Sequence, residues 1–548
     1  MLNPNKYLNM HKNLLKVFKV LTLLAFIQLM AFKKLNAQSN ASYAELNVNN
    51  IKAGFSSNGS LFRDINDPLD GYAKFTGSLY GDTAAMVFAS NLWVSGVLNN
   101  DSLVAANAYL IRGEDFFFGP VSQQYDSIYD KKYNKVWKVT KAQIDHHINN
   151  YQNTGYALEN AILNWPAHGD VAHGEAQVLA PFYDVNQNGY YDPFGGDYPI
   201  IKGDEAVYFI FNDARASKTE TGSDPLNIEV HGMAYAYASA DSALQNTVFI
   251  SYKVYNRGTS TIDNLKLGVW TDFDLGNSLD DIIISDSINS LSICYNGDMD
   301  DEGPFGFGSN PPAVGVKFLS EAMSGSMNYM NGTSAGNPAA TSDPANTKEY
   351  FYYLDQKWKD GRPLVRELPH GDGYNDTLQS RARFQYSGNW SPSISNIADV
   401  RNVSTNYNQQ LVAGSSACLE LAFFAARDTS GTDLFGSVNK LIVRGNALQQ
   451  FYDSRNEQCV EAVVGLSEEE VLAQLKFYPN PVHDVLYVSA NDLKSISRLE
   501  ILNLSGQRIK TKDHDLDHIS VHDLPKGVYI LSVHTKAGNS SHSKFIKY

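Results

Sequence analysis

Apolar residues fall along this chain in short runs, many of them alternating with polar positions, and turn residues separate the runs. Ala84 to Ala89, Leu103 to Ile111, Ala206 to Phe211, Thr247 to Tyr255 and Leu419 to Ala425 each read as strands. Alternation puts successive side chains on opposite faces, so half-buried antiparallel strands are predicted. Phe249 to Gly258 closes on a turn and Leu265 to Trp270 follows it, the pattern of a sandwich hairpin. Helical spacing is scarce, with the main example from Lys141 to Asn149. Heptads and internal repeats are absent. The pattern predicts an all-β protein with a β-sandwich-like body.

Length and composition refine this picture. A chain of 548 residues exceeds one compact core, so about two to four folded units are expected. Its 32 Tyr, 27 Phe and 40 Gly favour short strands joined by tight turns over helical bundles. A formal charge of -15 argues against a nucleic-acid partner, which needs clustered Lys and Arg, and suits divalent cations or simple solubility. The three cysteines, Cys294, Cys418 and Cys459, leave at least one thiol unpaired, and their spacing is not that of a zinc cluster. A Cys418–Cys459 bridge and three buried thiols are both compatible with the sequence.

The two ends differ from the middle. Lys12, Lys16 and Lys19 precede an apolar run from Val20 to Phe32, the layout of an export signal with cleavage expected after Ala37. That run is too short to span a bilayer comfortably, and no later segment is apolar enough to do so. At the other end, Val485 to Val488, Leu499 to Leu504, Val528 to Val533 and Lys544 to Tyr548 read as short strands, with turns at Ser505-Gly506-Gln507 and Leu524 to Gly527. These predict a small Ig-like antiparallel β-sandwich. The expected division is a signal peptide over 1–37, a body over 38–460 with up to two subdomains, a linker over 461–474 and a terminal domain over 475–548.

The terminal motifs resemble a known family. Tyr478-Pro479-Asn480-Pro481, then a strand ending at Ser505-Gly506-Gln507, then Leu524-Pro525-Lys526-Gly527-Val528-Tyr529, then Lys544-Phe545-Ile546-Lys547-Tyr548, occur in that order. The set resembles the type A C-terminal sorting domain of the type IX secretion system of Bacteroidota. On that resemblance Pro479, Asn480, Pro481, Gly506, Gly527, Tyr529 and Lys547 belong to the sorting signal. It implies passage through the periplasm, recognition by an outer-membrane translocon and sorting machinery, and removal of the domain. The cargo is then released or attached to surface lipopolysaccharide. Asn91 to Gly96, Gly113 to Pro120, Asn164 to Gly169 and Trp358 to Gly361 resemble a poorly characterised class of Bacteroidota exported proteins. That class implies a location and no activity.

The clearest chemical signal is an oxygen-rich loop. Asp184, Asn186 and Asn188 stand at alternate positions before Gly189, followed by the Tyr190 carbonyl and Asp192. Calcium takes six to eight hard oxygen ligands, and alternate residues of a tight loop can turn theirs inward. The twelfth position, a bidentate Glu in an EF-hand, is Gly195, and Asp197 is the expected substitute. An Asx-rich turn without metal has the same composition. Asp272, Asp274, Asp280 and Asp281 form a weaker second metal loop, and Asn296 to Gly303 is another acidic loop close behind it. Calcium is therefore the expected cofactor.

Catalytic constellations find less support. Gly332-Thr333-Ser334-Ala335-Gly336 matches a nucleophile elbow, but Ser342, Asp343, Pro344 and Asn346 exclude a buried helix directly behind it. His168 and Asp82 lack a setting as triad partners. His168, Asp170, His173 and Glu175 could ligate zinc, yet their spacing suits neither a helix face nor a strand face. Trp93, Trp165, Trp270 and Trp390 could stack on sugars or fill the core. The leading expectation is a secreted, calcium-stabilised structural, adhesive or glycan-binding protein. The alternative is a secreted hydrolase of polysaccharide or protein, which would require two carboxylates across a cleft or a metal at His168 and His173.

Overall fold

The computed structural model describes residues 41–63, 75–77, 84–109, 113–303, 305–331, 339–365, 374, 381–384, 400–408, 410–431, 433–455, 476–489, 496–503, 508–535 and 540–548. The chain divides into two compact units. One comprises Met1–Lys138, Val171–Glu175 and Lys202–Cys459, and the other Val139–Asp170, Ala176–Ile201 and Val460–Tyr548. The export-signal segment lies outside the described residues.

The larger unit is a sandwich of two antiparallel sheets. In the first, Asp281–Asp286, Leu291–Asn296, Ala313–Phe318, Ser416–Ala426, Thr247–Asn256, Ile228–Ala236 and Glu205–Asn212 lie side by side in that order. In the second the order is Gly325–Met330, Val400–Tyr407, Ile262–Asp272, Ala89–Leu98 and Asp101–Ala106. Phe209, Ile250, Leu421 and Phe423 from the first sheet share one core with Leu92, Val94, Leu267 and Val269 from the second. Burying side chains of this size stabilises the fold by roughly 1.5–3 kcal/mol each, which is what holds the two faces together.

The outer faces are covered as well. Helix Thr347–Leu354 lays Tyr350, Tyr353 and Leu354 against Trp93 and Trp270 on the back of the second sheet. Helix Gly436–Asp453 buries Val438, Leu441, Gly445, Leu448 and Tyr452, and Gly445 lets it approach Phe424 on the back of the first. Glu205–Asn212 and Ile228–Ala236, in the same sheet, are buried at every position, not at alternate ones. Buried polar groups on these strands are paired: Glu229 accepts from the backbone N–H of Val121 at 2.7 Å and meets Arg257 and His231. Half-burial, the sequence expectation, fails here because neither face is left to water.

The expected hairpin is also replaced. Thr247–Asn256 pairs with Ile228–Ala236 and Ser416–Ala426, whereas Ile262–Asp272 pairs with Ala89–Leu98 and Val400–Tyr407. The turn between them carries the chain from one sheet to the other. Asn256 fixes that crossing, donating to Ser260 O and Leu411 O at 2.9 Å and accepting from Gly258 N at 2.9 Å. Cys418 is disulfide-bonded, Cys294 is a buried free thiol, and Cys459 lies outside the described residues.

In the second unit, helix Lys141–Asn150 opens with a capping box at Thr140 and Gln143, and Phe182–Tyr183 pairs with Tyr198–Pro199. Residues 476–548 form their own pair of antiparallel sheets. Lys476–Tyr478, Val485–Ser489 and His518–Ser520 make one, and Arg508–Lys512, Ile496–Leu502, Gly527–Thr535 and Ser540–Lys547 the other. Leu486, Val488, Leu499, Ile501, Leu531, Val533 and Phe545 are buried between them. No helix among the described residues is long and apolar enough to cross a membrane.

Candidate functional site

The two-stranded pairing of Tyr183 with Tyr198 closes a loop that contains every residue of the expected calcium set. Gln187 and Gly189 adopt positive φ, +58° and +81°, which lets the loop double back within a few residues. Asp184 Oδ2 accepts from Gly189 N at 2.6 Å, Asn186 Oδ1 from Asn188 N at 3.0 Å, and Asn188 Oδ1 from Tyr190 N at 2.7 Å. Asp192 caps the short helical turn Pro193–Gly195 through Phe194 N at 3.0 Å. Asp197 is fully buried, and its two oxygens accept from Val185 N at 2.8 Å and Asp192 N at 2.7 Å.

Asx turns account for most of this loop. They leave over Asp184 Oδ1, which is buried and has no hydrogen-bond partner on a residue only 2% exposed. An ionised oxygen in that position costs free energy unless a proton or a cation meets it. Burial pushes the Asp197 carboxyl upward; its backbone hydrogen bonds oppose this, while the charges of Asp184 and Asp192 add to it. Asp192 and Asn186 face each other over Gly195, where an added Cβ would lie 3.1 Å from Asp192 Oδ2 and 3.6 Å from Asn186 Nδ2. Among the described residues no three His, Cys, Asp or Glu side chains are arranged as a metal-binding group. A calcium loop draws as much on amide and backbone oxygens, which such a set leaves out.

The weaker acidic loop is split by the fold. Asp272, at the end of its strand, accepts from the Tyr109 hydroxyl and lies 3.7 Å from the Arg401 guanidinium. Asp281 instead opens the strand Asp281–Asp286, with Asn296 as its cross-strand partner. Its Oδ2 accepts from Leu275 N at 2.8 Å. Asp274 and Asp280 lie close enough to Asp281 to oppose its ionisation.

The other candidates have structural partners. His168 Nδ1 lies 2.8 Å from Gln177 O and Nε2 accepts from Tyr191 N at 3.0 Å, so both ring nitrogens are used. Glu175 accepts from the Tyr133 hydroxyl and lies 3.6 Å from Lys132. Trp93, Trp165 and Trp270 are buried, donating to Asn107 O, Pro181 O and the Tyr329 hydroxyl respectively. Asp82, Ser334 and Trp390 lie outside the described residues. A recess walled by Tyr235, Tyr237, Phe249, Phe451, Lys202 and Arg455 presents no Asp or Glu.

The terminal motifs converge on the last strand. Asn480 Oδ1 accepts from Ile546 N at 2.9 Å, and Asn480 Nδ2 donates to Lys544 O at 3.3 Å. Val482 N donates to Ile546 O at 2.7 Å, and Tyr548 N donates back to Val482 O at 3.1 Å. Gly527 stands opposite Lys547, and Tyr529 stacks on Phe545 while donating to Pro525 O at 2.9 Å. Pro479 and Pro481 flank Asn480, and Gly506 lies outside the described residues.

No curated protein matches the sequence. Among solved structures, a polysaccharide lyase matches over 64% of this chain and 37% of its own, at 10% identity and a TM-score of 0.19. A putative aldose 1-epimerase from Escherichia coli K12 matches over 71% and 99%, at 11% identity and a TM-score of 0.25. The BSP domain of a biofilm associated protein matches over 63% and 59%, at 10% identity and a TM-score of 0.13. The chain thus spans about a third of the lyase, and likenesses at these scores carry no argument. Residues 476–548 match the family described as the secretion system C-terminal sorting domain, over the strands that the terminal motifs tie together. The chain carries a C-terminal sorting domain and is an exported cargo of the type IX secretion system.

Proposed function

We propose that the body delivered by this domain is a calcium-stabilised structural, adhesive or glycan-binding module working at the outer face of the outer membrane or in the medium. The observation that carries the reading is Asp184 Oδ1, a buried carboxylate oxygen without a hydrogen-bond partner, inside a loop of oxygen side chains. Asp184, Asn186, Asn188 and Asp192, with the Tyr190 carbonyl, would hold the ion, and Asp197 keeps the loop closed from behind. A bound calcium supplies the positive charge that this cluster lacks. The translocon and sorting machinery are the partners of the tail, and surface lipopolysaccharide or glycans those of the body.

The test is a glycan-array and whole-cell binding assay on the purified body, with calcium and with chelator. Binding that disappears with chelator and releases no product supports the module. Release of cut polysaccharide or peptide from a substrate panel would instead establish the hydrolase.

A further inference from the structure

Four cations from separate parts of the chain converge on one carboxylate, that of Asp355, just past the helix Thr347–Leu354. Lys357 Nζ lies 2.6 Å and Arg381 Nη2 3.4 Å from Asp355 Oδ2. Lys266 Nζ, from the strand Ile262–Asp272, lies 3.5 Å and Arg383 Nη1 4.0 Å from Asp355 Oδ1. Among the described residues no other Asp or Glu forms an ion pair with any of the four. Three positive charges are therefore left over, on a chain whose formal charge is -15. The carbonyl end of the short helix offsets only about half a charge.

The cluster is built, not merely crowded. Lys266 is 1% exposed, its ammonium makes no hydrogen bond, and it sits 4.0 Å from the centre of the Phe351 ring. Burial lowers its pKa; the Asp355 charge opposes this, and the charges of Lys357 and Arg383 add to it. Arg383 is held by one nitrogen, Nη1, which donates to the Tyr407 hydroxyl at 2.5 Å and to Gln356 Oε1 at 3.4 Å. Its guanidinium also lies over the Tyr407 ring, 4.8 Å from the centre. Arg381 is held by Nη2, which donates to the Asp355 backbone oxygen at 2.9 Å. Both arginine side chains are about two-fifths exposed, 40% and 41%, so their remaining N–H groups are positioned and open to a ligand.

Fixed guanidinium forks match the paired oxygens of a carboxylate or a sulfate, and charge-assisted bonds to them are about twice as strong as neutral ones. The excess sits at one spot and not along a stripe, which suits a single anionic group on a polymer better than a nucleic-acid backbone. We propose that Arg381, Arg383 and Lys357 form a binding site for the carboxylate or sulfate groups of an acidic polysaccharide, with the buried Lys266 adding charge from below. The site rests on the glycan-binding reading of the body and names the class of glycan. Asp355 is the internal competitor: it holds the cations together while the site is empty.

Isothermal titration of the full-length chain in calcium-containing buffer tests this with three probes: oligogalacturonate, dextran sulfate and neutral dextran. Wild type should bind one or both acidic probes, more weakly as salt rises, and ignore neutral dextran. The double variant Arg381→Gln/Arg383→Gln should bind about tenfold more weakly or worse. Loss confined to oligogalacturonate assigns a carboxylate, and loss confined to dextran sulfate assigns a sulfate. Unchanged affinity in the double variant overturns this site and leaves glycan binding elsewhere on the body intact. Wild type that binds no acidic probe overturns the site, and silence across a wider glycan array removes the glycan-binding reading with it. Lys357→Gln, at a position 31% exposed, supplies the same readout if the double variant misfolds. Asp355→Asn gives the opposite sign: without the competitor, binding should tighten severalfold. A lower melting temperature with no gain in affinity would make the cluster purely structural and overturn the proposal.

Discussion

Asn480 and Ile546 are 66 positions apart and meet through a 2.9 Å hydrogen bond from the Ile546 backbone N–H to the Asn480 side-chain oxygen. The bond ties the first motif of the sorting domain to the last. Since Asn480 also donates to Lys544 O, one side chain holds the final strand on both sides of Phe545, whose ring fills the core of the domain. The spacing of the motifs in sequence is therefore a spacing around one clasped strand.

Asn480→Ala removes both bonds and should destabilise the terminal domain by about 1 kcal/mol. Amide exchange at Ile546 and Tyr548 should accelerate while the body's exchange stays as it was. Unchanged protection at Ile546 would mean that the Val482 pairing alone holds the strand.

Deleting Leu475 to Tyr548 should leave the body folded but confined to the periplasm. Cell fractionation reads this directly, and normal surface delivery of the shortened chain would refute the role assigned to the tail.

Removing calcium should lower the melting temperature of the body, and Asp184→Ala should abolish the part of that shift that its loop supplies. A thermal melt with and without chelator is sufficient. Equal shifts in wild type and variant would separate the loop from any calcium effect.

Gly232 stands opposite Phe209 in the first sheet, and the Phe209 ring lies across it, 2.2 Å from where a Cβ would be. Gly232→Val should cost about 1–3 kcal/mol by forcing that ring out of the shared core. Chemical denaturation measures the loss; a neutral result would show that the ring can move freely.

Glu229 carries a pH signature. Burial, the largest single influence, would raise its pKa, but the hydrogen bond and charge of His231 and the Arg257 guanidinium outweigh it and hold the carboxyl at about 2, against an ordinary 4.5. The folded state then binds fewer protons than the unfolded state between those values. The stabilisation is complete above 4.5 and is lost as pH falls toward 2. Glu229→Gln should flatten that part of a denaturation series, and an unaltered slope would assign the acid sensitivity elsewhere.

Local signals were enough wherever a short-range cause sufficed. Ala206 to Phe211, Thr247 to Tyr255 and Leu419 to Ala425 were legible as strands because runs of aromatic and β-branched residues suit a pleated surface. Lys141 to Asn149 was legible as a helix by its spacing, and the tail by the order of its motifs. The helix Gly436–Asp453 also carried a readable stripe, Val438, Leu441, Gly445, Leu448 and Tyr452, diluted by a central glycine and two arginine- and lysine-bearing turns. The Asp184 loop could be read as a set of oxygens; which oxygen stays unpartnered could not.

By itself, then, the sequence determined strand character, the address at the C-terminus and the composition of the acidic loops, all of which depend on residues near one another in the chain. Tertiary structure decided which sheet each strand joins, sending Thr247–Asn256 and Ile262–Asp272 to opposite sides of the core. It also separated Asp272 from Asp281. Those outcomes depend on what covers each face and on which backbone N–H groups reach each carboxylate, and such partners come from segments far away in the chain.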